Sequence, residues 1–341
     1  MTRDRPADER DLADLGVWRV EVPVPFPQTG GSANVYLVEA PGNGLILFDA
    51  GLGTPEAEQA LADGFRRVGK RFEDVERIVL SHGHIDHFGA ARTIIERRGA
   101  EVPVHVHPLD AAMVTAGGSY YEGRWELYAT HYRKLGVPED AIRGAVRLAS
   151  RGRRMARPVE SLQPVDQGQR FQAGAGELVV HHMPGHTPGM VCLHAPETGL
   201  FFSGDHLLEK ISPNPLLELG PSGEEDFFRP LVRHLESLDR LAALDVSLVL
   251  PGHGAPFTGH RQVIGRLRQL VLRRQERVVE VLRGGPSTAY DLAQALFPRA
   301  TVDELYFTLS EAAAHLELLE QDGRVSRNVE AGRYLFRLAA P

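Results

Sequence analysis

Three imidazoles and one carboxylate crowd into the short run His82-Gly83-His84-Ile85-Asp86-His87. Neutral imidazole nitrogens and carboxylate oxygens are ligands that zinc and iron accept in proteins. The largely apolar residues 77–80 precede the run, and Gly83 within it permits a tight loop that turns several side chains toward one point. The run therefore predicts a metal site at the end of a buried strand, rather than a solvated histidine-rich loop.

Three later positions repeat the same pattern, because each follows an apolar stretch. His186 lies in MPGHTPG, Asp205 ends LFFSGD, and His253 lies in VLPGHG. Alone, a histidine in a turn is usually a polar surface residue. Open α/β sheets, however, place their chemistry at the carboxyl ends of strands, so these positions together indicate one shared site.

The elements that must position these side chains alternate between strands and helices, which predicts an α/β fold. The predicted strands or strand-bearing runs are residues 17–26, 33–40, 45–51, 77–80, 102–107, 177–183, 191–195, 200–205 and 246–254. The predicted helices of this part of the chain are residues 55–68, 88–98 and 225–243.

In this order, the motifs resemble those of the metallo-β-lactamase fold superfamily over residues 15–258. Asp49 in FDAG adds to the resemblance. The family fold implied is an αββα sandwich with a dinuclear metal site at one edge. The resemblance implies that the first metal is bound by His82, His84 and His186, the second by Asp86, His87 and His253, and both by Asp205. It also implies that Asp49 orients ligands, and it makes Asp86 and Asp205 the catalytic candidates.

Two cations can hold a bridging hydroxide, which attacks an electrophilic carbonyl or phosphorus without a serine or cysteine nucleophile. The favoured function is hydrolysis of a thioester, ester or lactone. A phosphodiesterase or ribonuclease, and a non-catalytic metal-binding or regulatory module, are the alternatives. Asp205 stands where the penicillin-cleaving branch has cysteine, which argues against antibiotic hydrolysis. Zinc is the expected metal, and iron or manganese fit the same ligands.

Residues 259–341 read as helix, helix, helix and hairpin, the outline of a winged helix. They resemble a branch of the superfamily, related to lactamase-beta-like ribonucleases and some thioesterases, that carries such an appendage. The third helix, residues 302–321, presents carboxylates that would repel phosphates. These carboxylates are Asp303, Glu304, Glu311, Glu317 and Glu320. Packing against the catalytic domain, or pairing in a homodimer, is therefore favoured over nucleic-acid binding.

An unusually long interval, residues 108–165, separates two site-forming strands. We expect a largely helical, lid-like insertion whose aromatic side chains border the metal cleft. The alternative is that these aromatics stabilise the insertion itself or a dimer contact. The aromatics are Tyr120, Tyr121, Trp125, Tyr128 and Tyr132. The basic residues of 147–157 keep a phosphate-bearing substrate open.

Composition and charge bear on the binding partners and the cellular compartment of the protein. The chain has 38 basic and 45 acidic residues and a formal net charge of −7, which disfavours nucleic acid and anionic membrane as partners. The single cysteine, Cys192, fits a reducing compartment and reads as a buried apolar residue. The charged residues 1–14 read as a disordered tail without a secretory signal. We expect a cytoplasmic enzyme with a small-molecule substrate.

Overall fold

Two β-sheets face each other at the centre of the computed structural model, which describes residues 12–25, 31–174, 176–225 and 227–339. The first sheet has the order β1-β2-β3-β4-β5-β6, and β3 to β6 run parallel. Its strands are β1 (Val17–Val22), β2 (Ala33–Glu39), β3 (Leu45–Phe48), β4 (Val75–Val79), β5 (Val104–Val106) and β6 (Leu162–Pro164).

The second sheet has the order β11-β10-β9-β8-β7 and is antiparallel except for the β10–β11 pair. Its strands are β7 (Arg170–Ala173), β8 (Gly176–His182), β9 (Val191–Ala195), β10 (Leu200–Gly204) and β11 (Leu248–Pro251). One buried cluster joins the inner faces of the two sheets, with the ring of Phe202 edge-on to those of Tyr36 and Phe48. Strands buried in this way must be apolar throughout, as LILF in β3 is.

Helices cover the outer face of each sheet and complete an αββα sandwich. The first sheet is covered by α1 (Pro55–Arg67) and by α3 (Ala91–Arg98), which follows the short α2 (Ile85–Phe88). The second sheet is covered by α8 (Pro230–Ala242) and by the first half of α9 (His260–Arg283). The fold class predicted from the sequence is confirmed.

The C-terminal part consists of three helices and an antiparallel ribbon, in the predicted order. After α9 come α10 (Ala289–Leu296), α11 (Leu305–Gln321), β12 (Val325–Glu330) and β13 (Arg333–Leu338). Thr288 caps α10 and forms a reciprocal capping box with Asp291. Whether this arrangement acts as a winged helix stays a prediction.

The interval 108–165 is largely helical, as expected, but it ends in β6, which the sequence did not indicate. Its helices are α4 (Ala111–Ala116), α5 (Tyr120–Gly123), α6 (Trp125–Lys134) and α7 (Glu139–Ala149). The aromatic side chains have a partner that neither interpretation named. Tyr128 and Tyr132 are buried in one core with Leu292 and Leu316 of the C-terminal part, and Tyr121 and Trp125 pack against that core.

Several predicted boundaries are wrong, among them the end of the tail and the start of the helix over 225–243. Leu12, assigned to the tail, is only 2% exposed and packs between the sheets, while residues 1–11 lie outside the described part. The helix predicted over 225–243 begins at Pro230, because proline fits only the first turn of a helix. No helix in the described ranges is both long and apolar enough to cross a membrane.

Candidate metal centre

The run 82–87 forms the loop that leaves β4 and enters α2. His84 is the N-cap residue of α2, so Asp86 and His87 lie in its first turn while His82 precedes it. Gly83 is required because a Cβ atom there would lie 2.8 Å from the Cβ of Met113. The loop thus directs several side chains of the run toward the edge of the sandwich.

The side chains of His82, His84 and His186 converge, and the resemblance implies that these three bind one metal. The Nδ1 atom of His84 lies 2.9 Å from His82 Nε2 and 3.0 Å from His186 Nε2. Ligands at the usual ~2.0–2.1 Å from one ion, at angles of about 90°, have such separations. Burial, followed by the charge of His186, lowers the pKa of His84 to about 3, which keeps its ring neutral and able to coordinate.

Asp86, His87, His253 and Asp205 form an adjoining cluster. Asp205 Oδ1 lies 3.5 Å from His87 Nε2, and Asp205 Oδ2 lies 3.5 Å from His253 Nε2. Asp205 Oδ2 also lies 3.6 Å from His186 Nε2, so this carboxylate stands between the two clusters. Asp86 Oδ2 lies 3.5 Å from His253 Nε2. These separations exceed ordinary hydrogen bonds and match the edge of a tetrahedron around one cation, about 3.4 Å.

Buried polar atoms without hydrogen-bond partners indicate whether the second cluster suits a cation. His87 Nε2, His253 Nε2 and Asp205 Oδ1 are buried and have no hydrogen-bond partner among the described residues. Such atoms are costly to bury unless something satisfies them. Burial lowers the pKa of His253, but the carboxylates of Asp205 and Asp86 outweigh it and raise that pKa to about 10. The cluster therefore favours positive charge, and divalent metals fit it.

Asp49 holds the loop and one imidazole together, in the orienting role that the resemblance implies. Its Oδ1 accepts from the Ser81 amide at 2.7 Å, and its Oδ2 accepts from the Ser81 hydroxyl at 2.9 Å and from His87 Nδ1 at 2.8 Å. Asp49 has a φ of +66°, a left-handed conformation that costs a non-glycine residue energy. Surrounding contacts maintain this strained backbone at the end of β3.

Sequence reasoning missed Asp110, a buried carboxylate just after β5. It accepts from the Gly83 amide at 2.9 Å, the Gly189 amide at 2.7 Å and the Thr187 hydroxyl at 2.6 Å. Burial raises the pKa of Asp110 to about 6, although these hydrogen bonds oppose the rise. Its position after a strand end was the available signal, and Asp205 shares it.

Asn34 was also missed, although it supports the loop that carries His253. Its side-chain amide donates to the carbonyls of Pro251 and Gly254, each at 2.8 Å. The carbonyl of Ser32 lies 3.1 Å from His253 Nδ1 and orients that ring. A lone asparagine within a strand gave no pattern that could have identified it.

Several other histidines and the cysteine lie outside the two clusters. His182 stacks on His107 with ring centroids 4.0 Å apart. His206 is fully buried beside His234. Cys192 is fully buried as predicted, and burial raises the pKa of its thiol, so it does not act as a thiolate nucleophile.

Comparison with known proteins agrees with this geometry. Residues 28–253 match the family model described as the metallo-beta-lactamase superfamily. Residues 275–339 match the model described as the metallo-beta-lactamase-like C-terminal domain. The crystal structure of the metallo-beta-lactamase family protein TTHA1429 from Thermus thermophilus superposes with a TM-score of 0.78 at 30% identity, covering 95% of this chain and 98% of that one.

Two curated relatives carry functional names. The Bacillus subtilis protein named "Probable metallo-hydrolase YqjP" is 31% identical over 93% of this chain and 97% of its own length. The Gallus gallus protein named acyl-coenzyme A thioesterase MBLAC2 is 28% identical over 69% of this chain and 77% of its own. With the αββα sandwich, the converging histidines and carboxylates, and both family models in agreement, the chain belongs to the metallo-β-lactamase superfamily and is one of its metal-dependent hydrolases.

Proposed function

We propose that the chain hydrolyses an acyl thioester, ester or lactone with two transition-metal cations, zinc by preference, held by the seven candidate ligands. The observation that carries the proposal is the position of Asp205, whose two oxygens face imidazoles of both clusters at 3.5–3.6 Å. In this proposal His82, His84 and His186 hold one cation, Asp86, His87 and His253 hold the other, and Asp205 joins them. When bound, such a pair supplies the Lewis acidity that activates water and stabilises the developing negative charge.

The chain's own groups prepare the site for that chemistry. Burial alone would raise the pKa of Asp86 and of Asp205, but His87 and His253 hold both carboxyls ionised. Asp49 and the carbonyl of Ser32 fix which ring nitrogen of His87 and His253 faces inward. Asp86 and Asp205 are thus our catalytic candidates, as ionised groups beside the reacting atoms.

An acyl substrate is favoured over a phosphodiester because a relative over two thirds of the chain is named an acyl-coenzyme A thioesterase. In the basic stretch 147–157, Arg153 pairs with Glu122 and Arg157 with Glu96, each at 2.8 Å. Since coenzyme A also carries phosphates, this stretch does not favour a phosphodiester over an acyl-coenzyme A.

A hydrolysis panel tests the proposal. Metal-loaded protein is assayed on acyl thioesters, simple esters, lactones, phosphodiesters and short RNAs. Asp205→Asn is compared with Asp322→Asn, which changes an exposed carboxylate between α11 and β12. We expect acyl hydrolysis by the wild type and by Asp322→Asn, and loss of it in Asp205→Asn. Cleavage of phosphodiesters or RNA without acyl hydrolysis would establish the alternative function, and no turnover with full metal loading would favour a non-catalytic module.

A further inference from the structure

Residues 212–220, which we call the strap, run from the metal centre into the core shared by the insertion and the C-terminal part. Leu217 and Leu219 are buried in that core. Between them, Glu218 is 3% exposed and accepts hydrogen bonds from Tyr121 at 2.6 Å and Tyr128 at 2.9 Å. The insertion therefore binds one side of the strap through hydrogen bonds and apolar packing.

Helix α11 binds the strap from the other side through hydrogen bonds. The hydroxyl of Tyr306 donates to the Leu217 carbonyl at 3.1 Å, and the Leu217 amide donates to Ser310 Oγ at 3.1 Å. Nearer the metal centre, the side-chain amide of Asn214 donates to the Phe307 carbonyl at 3.2 Å. The strap is thus attached at Asn214 and at Leu217 to the first turns of one C-terminal helix.

The strap ends on a candidate metal ligand. The carbonyl of Asn214 lies 3.0 Å from His186 Nδ1. A carbonyl only accepts, so Nδ1 carries the proton and Nε2 presents its lone pair toward His84. A backbone carbonyl that fixes the tautomer and the ring plane of a ligating histidine tunes metal affinity.

Three of the other imidazoles, those of His82, His87 and His253, take their orientation from within the sandwich. Ser81 Oγ lies 2.8 Å from His82 Nδ1, Asp49 contacts His87, and the Ser32 carbonyl contacts His253. Among these four described rings, only that of His186 depends on a segment anchored in the C-terminal part. The two clusters therefore differ in which part of the chain orients their histidine rings.

We propose that Tyr306 and Ser310 are positioning residues for His186, through which the C-terminal domain sets the metal affinity of the His82–His84–His186 cluster and leaves the other cluster unaffected. This inference rests on the dinuclear centre of the proposed function but not on its substrate. Loss of an outer partner of a metal ligand typically lowers metal affinity by ~10–100-fold. Because Tyr306 and Ser310 act through two intervening groups, we expect the lower end of that range.

The test compares Tyr306→Phe and Ser310→Ala with the wild type in the full chain loaded with two equivalents of zinc. Competition with a chelator yields a dissociation constant for each metal. We expect one constant to rise by about tenfold and the other to stay within about twofold. Tyr334→Phe is the control, because it removes a tyrosine hydroxyl of the same domain whose hydrogen bond, to Glu225, lies outside the strap.

A second readout separates positioning from general loosening of the interface. In the cobalt-substituted protein, the Nδ1 protons of ligating histidines give paramagnetically shifted signals whose exchange with solvent can be measured. We expect faster exchange at His186 in both strap variants, and unchanged exchange at His87 and His253. Unchanged constants, or equal changes at both metals, would overturn the inference even if the wild type binds two metals. A wild-type chain that binds no metal would overturn the proposed function as well.

Discussion

The carboxylate of Asp110 accepts a hydrogen bond from the backbone amide of Gly83 at 2.9 Å, although Asp110 lies outside the histidine-rich loop. The same carboxylate holds the Thr187 hydroxyl and the Gly189 amide, which follow His186 in the chain. One buried group therefore fixes the separation between the loop of His82 and His84 and the loop of His186. The geometry of the first cluster depends on a residue that is not among its candidate ligands.

Asp110→Asn should destabilise the chain and weaken metal binding. The carboxylate uses both oxygens as acceptors, whereas the amide offers one, so at least one buried donor loses its partner. We expect the free energy of unfolding to fall by ~1–3 kcal/mol. Urea unfolding and metal titration measure the two effects, with the exposed Asp322→Asn as control. A variant that matches the control in both would refute the role assigned to Asp110.

The number of metal ions lost should depend on which candidate ligand is replaced. The wild type should hold about two transition-metal ions per chain, as expected of a dinuclear site. His84→Ala should lose mainly one ion and His253→Ala mainly the other, whereas Asp205→Asn should weaken both, because its carboxylate faces both clusters. Elemental analysis, hydrolysis rates and far-ultraviolet circular dichroism check these outcomes. Wild-type metal content in Asp205→Asn would show that the bridging assignment is wrong.

Glu218 should make stability depend on pH. Burial raises its pKa to about 7, although hydrogen bonds from Tyr121 and Tyr128 lower it. The native state thus keeps the proton that the unfolded state loses near pH 4.5, so stability is fully present below that pH, declines as the pH rises to about 7, and is constant above. Glu218→Gln cannot ionise and should lack this decline.

The size of the effect is measurable by urea unfolding at pH 5 and pH 8. The advantage of Glu218→Gln over the wild type should grow between these values by up to ~3 kcal/mol. Glu73→Gln, which changes an exposed carboxylate, should show no such growth. If Glu218→Gln and the wild type have parallel pH profiles, the buried carboxylate does not titrate in this window.

The full chain should not bind duplex DNA or structured RNA in a salt-dependent way. In α11 the side chains of Leu305, Leu309, Leu316 and Leu319 are buried, as their spacing predicts. Glu311 in the same helix is buried and paired with Arg274. Titration across a salt series checks this expectation. Submicromolar affinity with a steep salt slope would contradict it and favour the ribonuclease alternative.

Much of the catalytic sandwich could be predicted because its strands are buried on both faces and end in polar residues. Such strands read as short apolar runs, and the side chains that follow β3, β4, β10 and β11 lie at one edge by topology alone. The types and positions of seven side chains predicted one shared metal site, and the family resemblance assigned them to two metals. The structure brings all seven together.

Apart from Asp49, which the resemblance implied, the supporting groups were not predicted, because their roles depend on long-range contacts. Asp110 resembles any helix-capping aspartate until the loops that carry Gly83 and Gly189 fold against it. The Asn214 carbonyl carries no sequence signal, since every residue has one. The partner of the aromatic insertion was missed for the same reason, because the insertion and the C-terminal part are far apart in sequence.

The shared core of the insertion and the C-terminal part has a consequence for the order in which the chain folds. Helices α6 and α7 leave the ribosome long before α10 and α11, yet Tyr132 and Ile142 bury their side chains against Leu292 and Leu309. Contacts of such sequence separation form late. During synthesis the sandwich can assemble first, while the apolar side chains of the insertion are still exposed to solvent. Until α10 and α11 have been synthesised, the nascent chain therefore exposes apolar surface of the insertion, which favours aggregation.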